Sequence, residues 1–189
     1  HLMTSAAVSR PGVRAASDRR LLAVLVYAAL MVAVVSTLGT PLIPDIAADQ
    51  GVSLHAAQWM LTITLLVGAV TTPILGRLGD GPGRRRVLVA GLATVCLGSV
   101  VAASADSFGQ LLVGRALQGV GYGTVPLTIA IARQELSPLS LRKAIATLSI
   151  TVATGAGLGF PITGLIAQLL DYHAAFWAAA LVTAIAVGL

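Results

Sequence analysis

Charge is scarce in this sequence. Of its 189 residues only 10% are Asp, Glu, Lys or Arg, against 57% hydrophobic. A water-soluble domain carries roughly a quarter charged residues, so there are too few here to cover the surface of a soluble globule of this size. Acidic residues are the scarcer kind, seven against twelve basic, and none lies inside a long apolar run. Cysteine is limited to Cys96, itself within such a run, which excludes a disulfide framework and a cysteine metal cluster. The ten-residue alternation of a membrane barrel is missing too. In hydrocarbon the backbone must satisfy its own hydrogen bonds, and helices are the remaining solution.

What the sequence has instead is long uncharged stretches. No charged residue occurs in 21–44, 56–76, 87–105, 144–170 or 174–189, and 107–132 contains only Arg115. About 20 apolar residues cross a bilayer as a helix, so the pattern predicts an all-α membrane protein with six spans. The first run is too long for the apolar core of a cleaved signal. Residues 1–20 are expected to be a cytoplasmic disordered tail, with residues 1–2 an extraneous remnant ahead of Met3. Residues 21–189 are expected to form one transmembrane domain, truncated within its sixth helix.

The charges fix an expected orientation. Arg10, Arg14, Arg19 and Arg20 precede the first run. Arg77, Arg84, Arg85 and Arg86 lie between the second and third, and Arg133, Arg142 and Lys143 between the fourth and fifth. The other loops carry Asp45, Asp49, Asp106 and Asp171. Strict alternation therefore puts eleven of the twelve basic residues on one side, the cytoplasmic one by the positive-inside rule. The expectation is a multi-pass protein of the cell inner (plasma) membrane with its N-terminus in the cytoplasm. The basic surplus reads as topology and as contact with lipid head groups, not as a nucleic-acid site.

Three segments stand out from the apolar background. Between the second and third runs lies Gly76-Arg77-Leu78-Gly79-Asp80-Gly81-Pro82-Gly83-Arg84-Arg85-Arg86, a glycine-rich turn with one carboxylate among arginines. The fourth run holds Leu111, Arg115, Gln118, Gly119 and Gly121. An arginine that deep in a span is costly unless it meets water, a carbonyl or a carboxylate, and so marks a functional position. The fifth run holds Gly155-Ala156-Gly157-Leu158-Gly159-Phe160-Pro161-Ile162-Thr163-Gly164. Glycines four apart let helix axes approach closely, and the proline removes a hydrogen bond and bends the helix.

These segments resemble the signatures of the major facilitator superfamily. The loop fits G-x-L-x-D-R-x-G-R-R at Gly76, Leu78, Asp80, Gly83, Arg84 and Arg85, departing at Gly81. The fourth run fits L-x-x-x-R-x-x-Q-G-x-G. The fifth is similar to the G-x-x-x-G-P-x-x-G-G element of drug–proton antiporters, with Pro161 one residue late and Leu165 in place of the final glycine. Thr40-Pro41-Leu42-Ile43-Pro44-Asp45-Ile46 looks like the end of the first helix in the fourteen-span drug exporters, although Val35 stands where those often have an aspartate. Pro73-Ile74-Leu75-Gly76 and Pro161-Ile162-Thr163-Gly164 echo each other, as two inverted three-helix repeats would.

The resemblance implies the N-terminal half of a transporter. Gly76, Asp80, Gly83, Arg84 and Arg85 would form a conformational latch, with Asp80 paired to Arg142 or Arg133. Arg115 and Gln118, together with Gln58 and Trp59, are the candidates for the coupling site or substrate cavity. Gly155, Gly159, Pro161 and Gly164 would be the antiporter element. The implied function is proton-coupled efflux of hydrophobic or cationic compounds such as drugs. Its partners would be a small-molecule substrate, protons, membrane lipid and a C-terminal transporter half. Two alternatives are a nutrient uptake carrier of the same fold and a non-transporting truncated half that binds a partner. Neither a catalytic constellation nor a cofactor or metal motif is found: His55 and His173 stand alone in their loops.

Overall fold

The computed structural model describes residues 11–189, with side chains from residue 17 onward. Nearly all of these residues are helical, and none is in a strand. The order is α1 (Pro11–Thr37), α2 (Gly39–Asp49), α3 (Leu54–Ala57), α4 (Trp59–Gly79), α5 (Arg84–Ala103), α6 (Phe108–Gly119), α7 (Gly121–Glu135), α8 (Pro138–Leu169) and α9 (Tyr172–Gly188). Four segments are long and apolar enough to cross a membrane: Ser17–Thr37, Leu54–Gly79, Arg84–Ala103 and Pro138–Leu169. The apolar helix α9 is shorter, and α6 and α7 meet at the single residue Val120.

The expected cytoplasmic tail covers residues 1–20. Residues 1–10 lie outside the described residues, but α1 begins at Pro11, ten residues ahead of the apolar run. Alanine and arginine, both good helix formers, follow at Arg14, Ala15, Ala16, Arg19 and Arg20.

Contacts between loops define two ends of different chemistry. At one end Tyr172 Oη donates to Asp49 Oδ2 at 2.6 Å, and Gln50 Nε2 reaches Asp49 Oδ2 and Tyr172 Oη, each at 3.0 Å. His173 Nε2 lies 3.4 Å from the carbonyl of Ala105. Helices entering from this end start on side-chain caps: Ser53 accepts from Ala56 N–H, Ser107 from Gln110 N–H and Asp171 from Ala174 N–H. Each cap satisfies one of the donors that a helix start leaves orphaned. The opposite end is basic. There Arg85 pairs with Glu135 at 3.3 Å, and Ser137 Oγ donates to Asp18 Oδ2 at 3.5 Å.

The bundle packs through α1, which touches α7, α8 and α9, while α5 packs on α6 and α9 and α4 on α6 and α7. Two apolar clusters fill it. Val35, Leu42, Ile46, Met60, Leu111 and Phe176 belong to one, Leu25, Val32, Leu88, Leu127, Ile131 and Leu148 to the other. Val32 and Val35, one turn apart on α1, fall on either side of the boundary.

Candidate functional site

Close to that boundary sits the most buried charge among the described residues. Arg115, on α6, has no exposed surface, and Gln118 one turn on is 2% exposed. Arg115 Nη1 donates to Gln118 Oε1 at 2.6 Å and to the carbonyl of Val35 at 3.4 Å. Gln118 Nε2 donates to Ser99 Oγ at 2.9 Å, and Ser99 Oγ donates to the carbonyl of Val95, also at 2.9 Å. A continuous polar chain thus runs from α1 through α6 to α5. Thr64 Oγ1, on α4, lies 3.1 Å from the carbonyl of Arg115. Two guanidinium nitrogens, Nε and Nη2, are buried without a hydrogen-bond partner.

Arg115 forms part of the wall of a cavity of roughly 310 Å³ between α1, α4, α7 and α8. Its other walls are mostly apolar, among them Leu61, Leu65, Val125, Val152 and Phe160, with hydroxyls from Ser36, Thr37, Thr40, Thr64 and Tyr122. Gly39, next to the break between α1 and α2, makes room for the guanidinium. A Cβ there would meet Leu61 Cδ2 and lie 3.0 Å from Arg115 Nη2. Sequence reasoning passed over Gly39, Ser99 and Thr64, since nothing local distinguishes a small residue beside a buried arginine from one in a plain helix.

The other two cavity candidates are not brought to Arg115. Gln58 is exposed at the junction of α3 and α4, where its carbonyl accepts from Leu61 and Thr62 N–H. Trp59 is 54% exposed and lies with Ile63, Val113 and Ala116 in a different groove. Leu61, Thr64 and Leu65 are the α4 residues that face the cavity.

Two glycines of the fifth run line up on α1. A Cβ at Gly155 would come 2.9 Å from Leu30 Cδ1 and 3.0 Å from Ala33 Cβ, and one at Gly159 would strike Thr37 Oγ1. Gly164 is looser, 3.9 Å from Pro41 Cβ, and Gly157 meets nothing. Pro161 is exposed, and α8 continues through it to Leu169.

The basic loop is arranged differently from the expectation. Asp80 is exposed and makes no ion pair among the described residues; its backbone N–H closes the end of α4 on the carbonyl of Arg77. It shares a crevice with Arg133 without pairing to it. The loop is joined to the end of α7 by Arg85 and Glu135 instead. The longer arginine on the first turn of α5 spans the gap that the short, helix-terminating aspartate does not. Arg84 is half-buried, with its Nη1 unpartnered. Neither Gly76 nor Gly83 has a neighbour that a Cβ would meet, whereas Gly79 between them packs on Leu127. Among the described residues no group of His, Cys, Asp and Glu is gathered as for a metal.

The sequence matches the family described as Major Facilitator Superfamily over residues 22–189. The chain belongs to the major facilitator superfamily. Similar proteins of the superfamily include an uncharacterized MFS-type transporter of Mycobacterium tuberculosis, 33% identical over 158 residues, which are 81% of this chain and 22% of that protein. The uncharacterized MFS-type transporter YvkA of Bacillus subtilis is 32% identical, over 81% of this chain and 35% of its own length. A protein of Mycobacterium bovis described as a probable triacylglyceride transporter is 36% identical, over 70% of this chain and 27% of its own. The chain thus spans about a fifth to a third of the curated relatives it matches. Among solved structures it is similar to the human organic anion transporter MFSD10 (TETRAN), with a TM-score of 0.69 at 23% identity, covering 95% of this chain and 46% of that one. That likeness concerns the fold. The superfamily accounts for the multi-pass helical build.

Proposed function

We propose that this chain is the N-terminal half of a proton-coupled exporter of hydrophobic compounds, with the Arg115 cavity as its part of the substrate path. The observation that carries this reading is a buried arginine, bonded only to neutral groups, in the wall of an apolar cavity. A charge buried at that cost is kept where it acts on a ligand or on proton movement. The close seam of Gly155 and Gly159 on α1 supports the exporter branch, because close packing of α8 on α1 closes the cavity's flank to leak.

In this reading residues 21–189 make six spans, with α2 extending the first, α3 and α4 forming the second and α6 and α7 the fourth. They form two inverted triplets in the inner membrane, and the arginine-rich end lies in the cytoplasm. Gly76, Asp80, Gly83, Arg84 and Arg85 act as a latch against the second half of the transporter, which explains why Gly76 and Gly83 have open space beside them. The exposed apolar side chains of α4 and α8, such as Leu66, Val70, Ile150 and Leu158, face lipid or that second half. No carboxylate lies within the apolar runs of the spans, so Arg115 serves the proton path through its hydrogen bonds and the acid that carries the proton is in the other half.

The test is transport in inside-out membrane vesicles made from cells producing the protein, with a fluorescent hydrophobic dye and an imposed pH gradient. Gradient-driven uptake that is lost in Arg115→Gln, with membrane insertion unchanged, is the expected result. Uptake independent of the gradient would remove proton coupling, and accumulation against the outward direction would favour the uptake carrier.

A further inference from the structure

Arg115 has no counter-ion among the described residues. It makes no ion pair, and its bonded partners are an amide oxygen and a peptide carbonyl, both neutral. Those partners engage only Nη1. The two buried nitrogens left over are Nε and Nη2, and in a guanidinium these two share one edge. That edge carries two parallel N–H donors, the arrangement that pairs side-on with a carboxylate.

The hydroxyls around the cavity sort by role. Ser36 Oγ, Thr37 Oγ1 and Thr64 Oγ1 already donate to carbonyls of their own helices, those of Val32, Val34 and Met60. Among the described residues the hydroxyls of Thr40 and Tyr122 have no hydrogen-bond partner and can donate. The rest of the wall is hydrocarbon. The cavity volume lies at the low end of the range that small-molecule sites occupy. A fixed positive charge with one free donor edge, two spare hydroxyl donors and no carboxylate is unsuited to a cation and matched to an anion with an apolar body.

We infer that the Arg115 cavity selects amphiphilic carboxylates, whose head group supplies the missing counter-ion on the Nε–Nη2 edge. This rests on the transport reading above and narrows it: the cationic compounds implied by the resemblance are disfavoured. Because both nitrogens are closed over, the ligand must displace a wall side chain. Leu61, the residue against Gly39 beside Nη2, is the one in that position.

Three probes with one body and different heads decide the matter: 4-phenylbutyrate, 4-phenylbutanol and 4-phenylbutylammonium. Their binding to the full chain in lipid nanodiscs is measured by saturation-transfer NMR against empty nanodiscs. The carboxylate is expected to bind about tenfold or more tighter than the alcohol, as a charge-assisted bidentate pair allows, with the ammonium weakest. Arg115→Gln should erase that preference. Arg115→Lys, which keeps the charge but not the paired edge, should retain part of it, and this guards against loss of fold in the first variant. Ala156→Leu, which fills the cavity from α8, should weaken all three probes. Equal binding of the three, or strongest binding of the ammonium, overturns the anion inference. If Ala156→Leu still weakens binding in that case, the cavity stands as a substrate site. Binding of none of the probes, or binding indifferent to both positions, overturns the inference and the cavity reading together.

Discussion

Gln118 holds Arg115 and Ser99 at once, so one side chain keeps two helices in register with the buried charge. Replacing it with Leu removes both bonds and leaves Nη1 with the distant Val35 carbonyl alone. Hydrogen bonds within membrane helices are worth about 0.6 and at most about 1.7 kcal/mol each. Thermal unfolding of Gln118→Leu in detergent should therefore show a loss of about 1–3 kcal/mol, and an unchanged melting curve would mean the chain is not structural. Asp49, beyond the apolar run, behaves differently. The hydroxyl of Tyr172, and then the Gln50 amide, hold its carboxylate below the usual range. A depressed folded value means the stabilisation is present above the unfolded value near 3.9 and is lost as pH falls through the lower folded one. Melting temperature should fall below about pH 4 in the native chain, and Tyr172→Phe should flatten that part of the profile. The Arg115 and Gln118 pairing was legible at residue scale, because three positions apart on a helix means one face. The partners across the bundle were not, since Ser99 and Val35 are distant in sequence and unremarkable in type.

At the scale of elements, α8 separates glycines that pack from glycines that do not. Gly159→Ala puts a methyl against Thr37, a β-branched residue already bonded to Val34, which has little freedom to move aside. Overpacking of this kind costs about 1–3 kcal/mol. Gly157→Ala meets nothing within 4 Å and should be neutral or raise stability by up to about 1 kcal/mol through helix propensity. Comparing the two by thermal unfolding checks the direction of the glycine seam. Equal effects would show that α8 is not seated on α1. A similar seam joins α5 and α6, where Gly98 and Gly114 face each other and a Cβ on either would come within 2.7 Å of backbone atoms. The spacing of Gly155 and Gly159 announced a close approach, but not its partner. The facing pair in α5 and α6 has no spacing signal at all, because each helix contributes one glycine.

Over the whole molecule, the sorting of charge to one end makes an orientation testable. With Cys96 replaced by serine, single cysteines at Gly81 and Leu139 should react with an impermeant maleimide only from the cytoplasmic face. One at Gly51 should react only from outside, and the reverse pattern would invert the topology. The Arg85–Glu135 pair at the basic end is 65% and 41% exposed. Exposed pairs contribute between about 0 and 1 kcal/mol, so a double-mutant cycle in the isolated chain should find little coupling, and any larger effect should be confined to transport. The sequence by itself determined the solvent, the helical build, the family and the separation of basic from acidic loops. Those follow from composition and spacing, which the bilayer reads directly: hydrocarbon tolerates neither charge nor unpaired backbone. Only the tertiary structure decided that Arg85 rather than Asp80 reaches across to α7, that Trp59 faces away from the cavity, and that Arg115 is left with an unpaired edge. Each of these depends on which helices lie side by side and at what rotation. Helix neighbours are set by the fit of small residues contributed by different helices, and that fit exists only once the helices have packed.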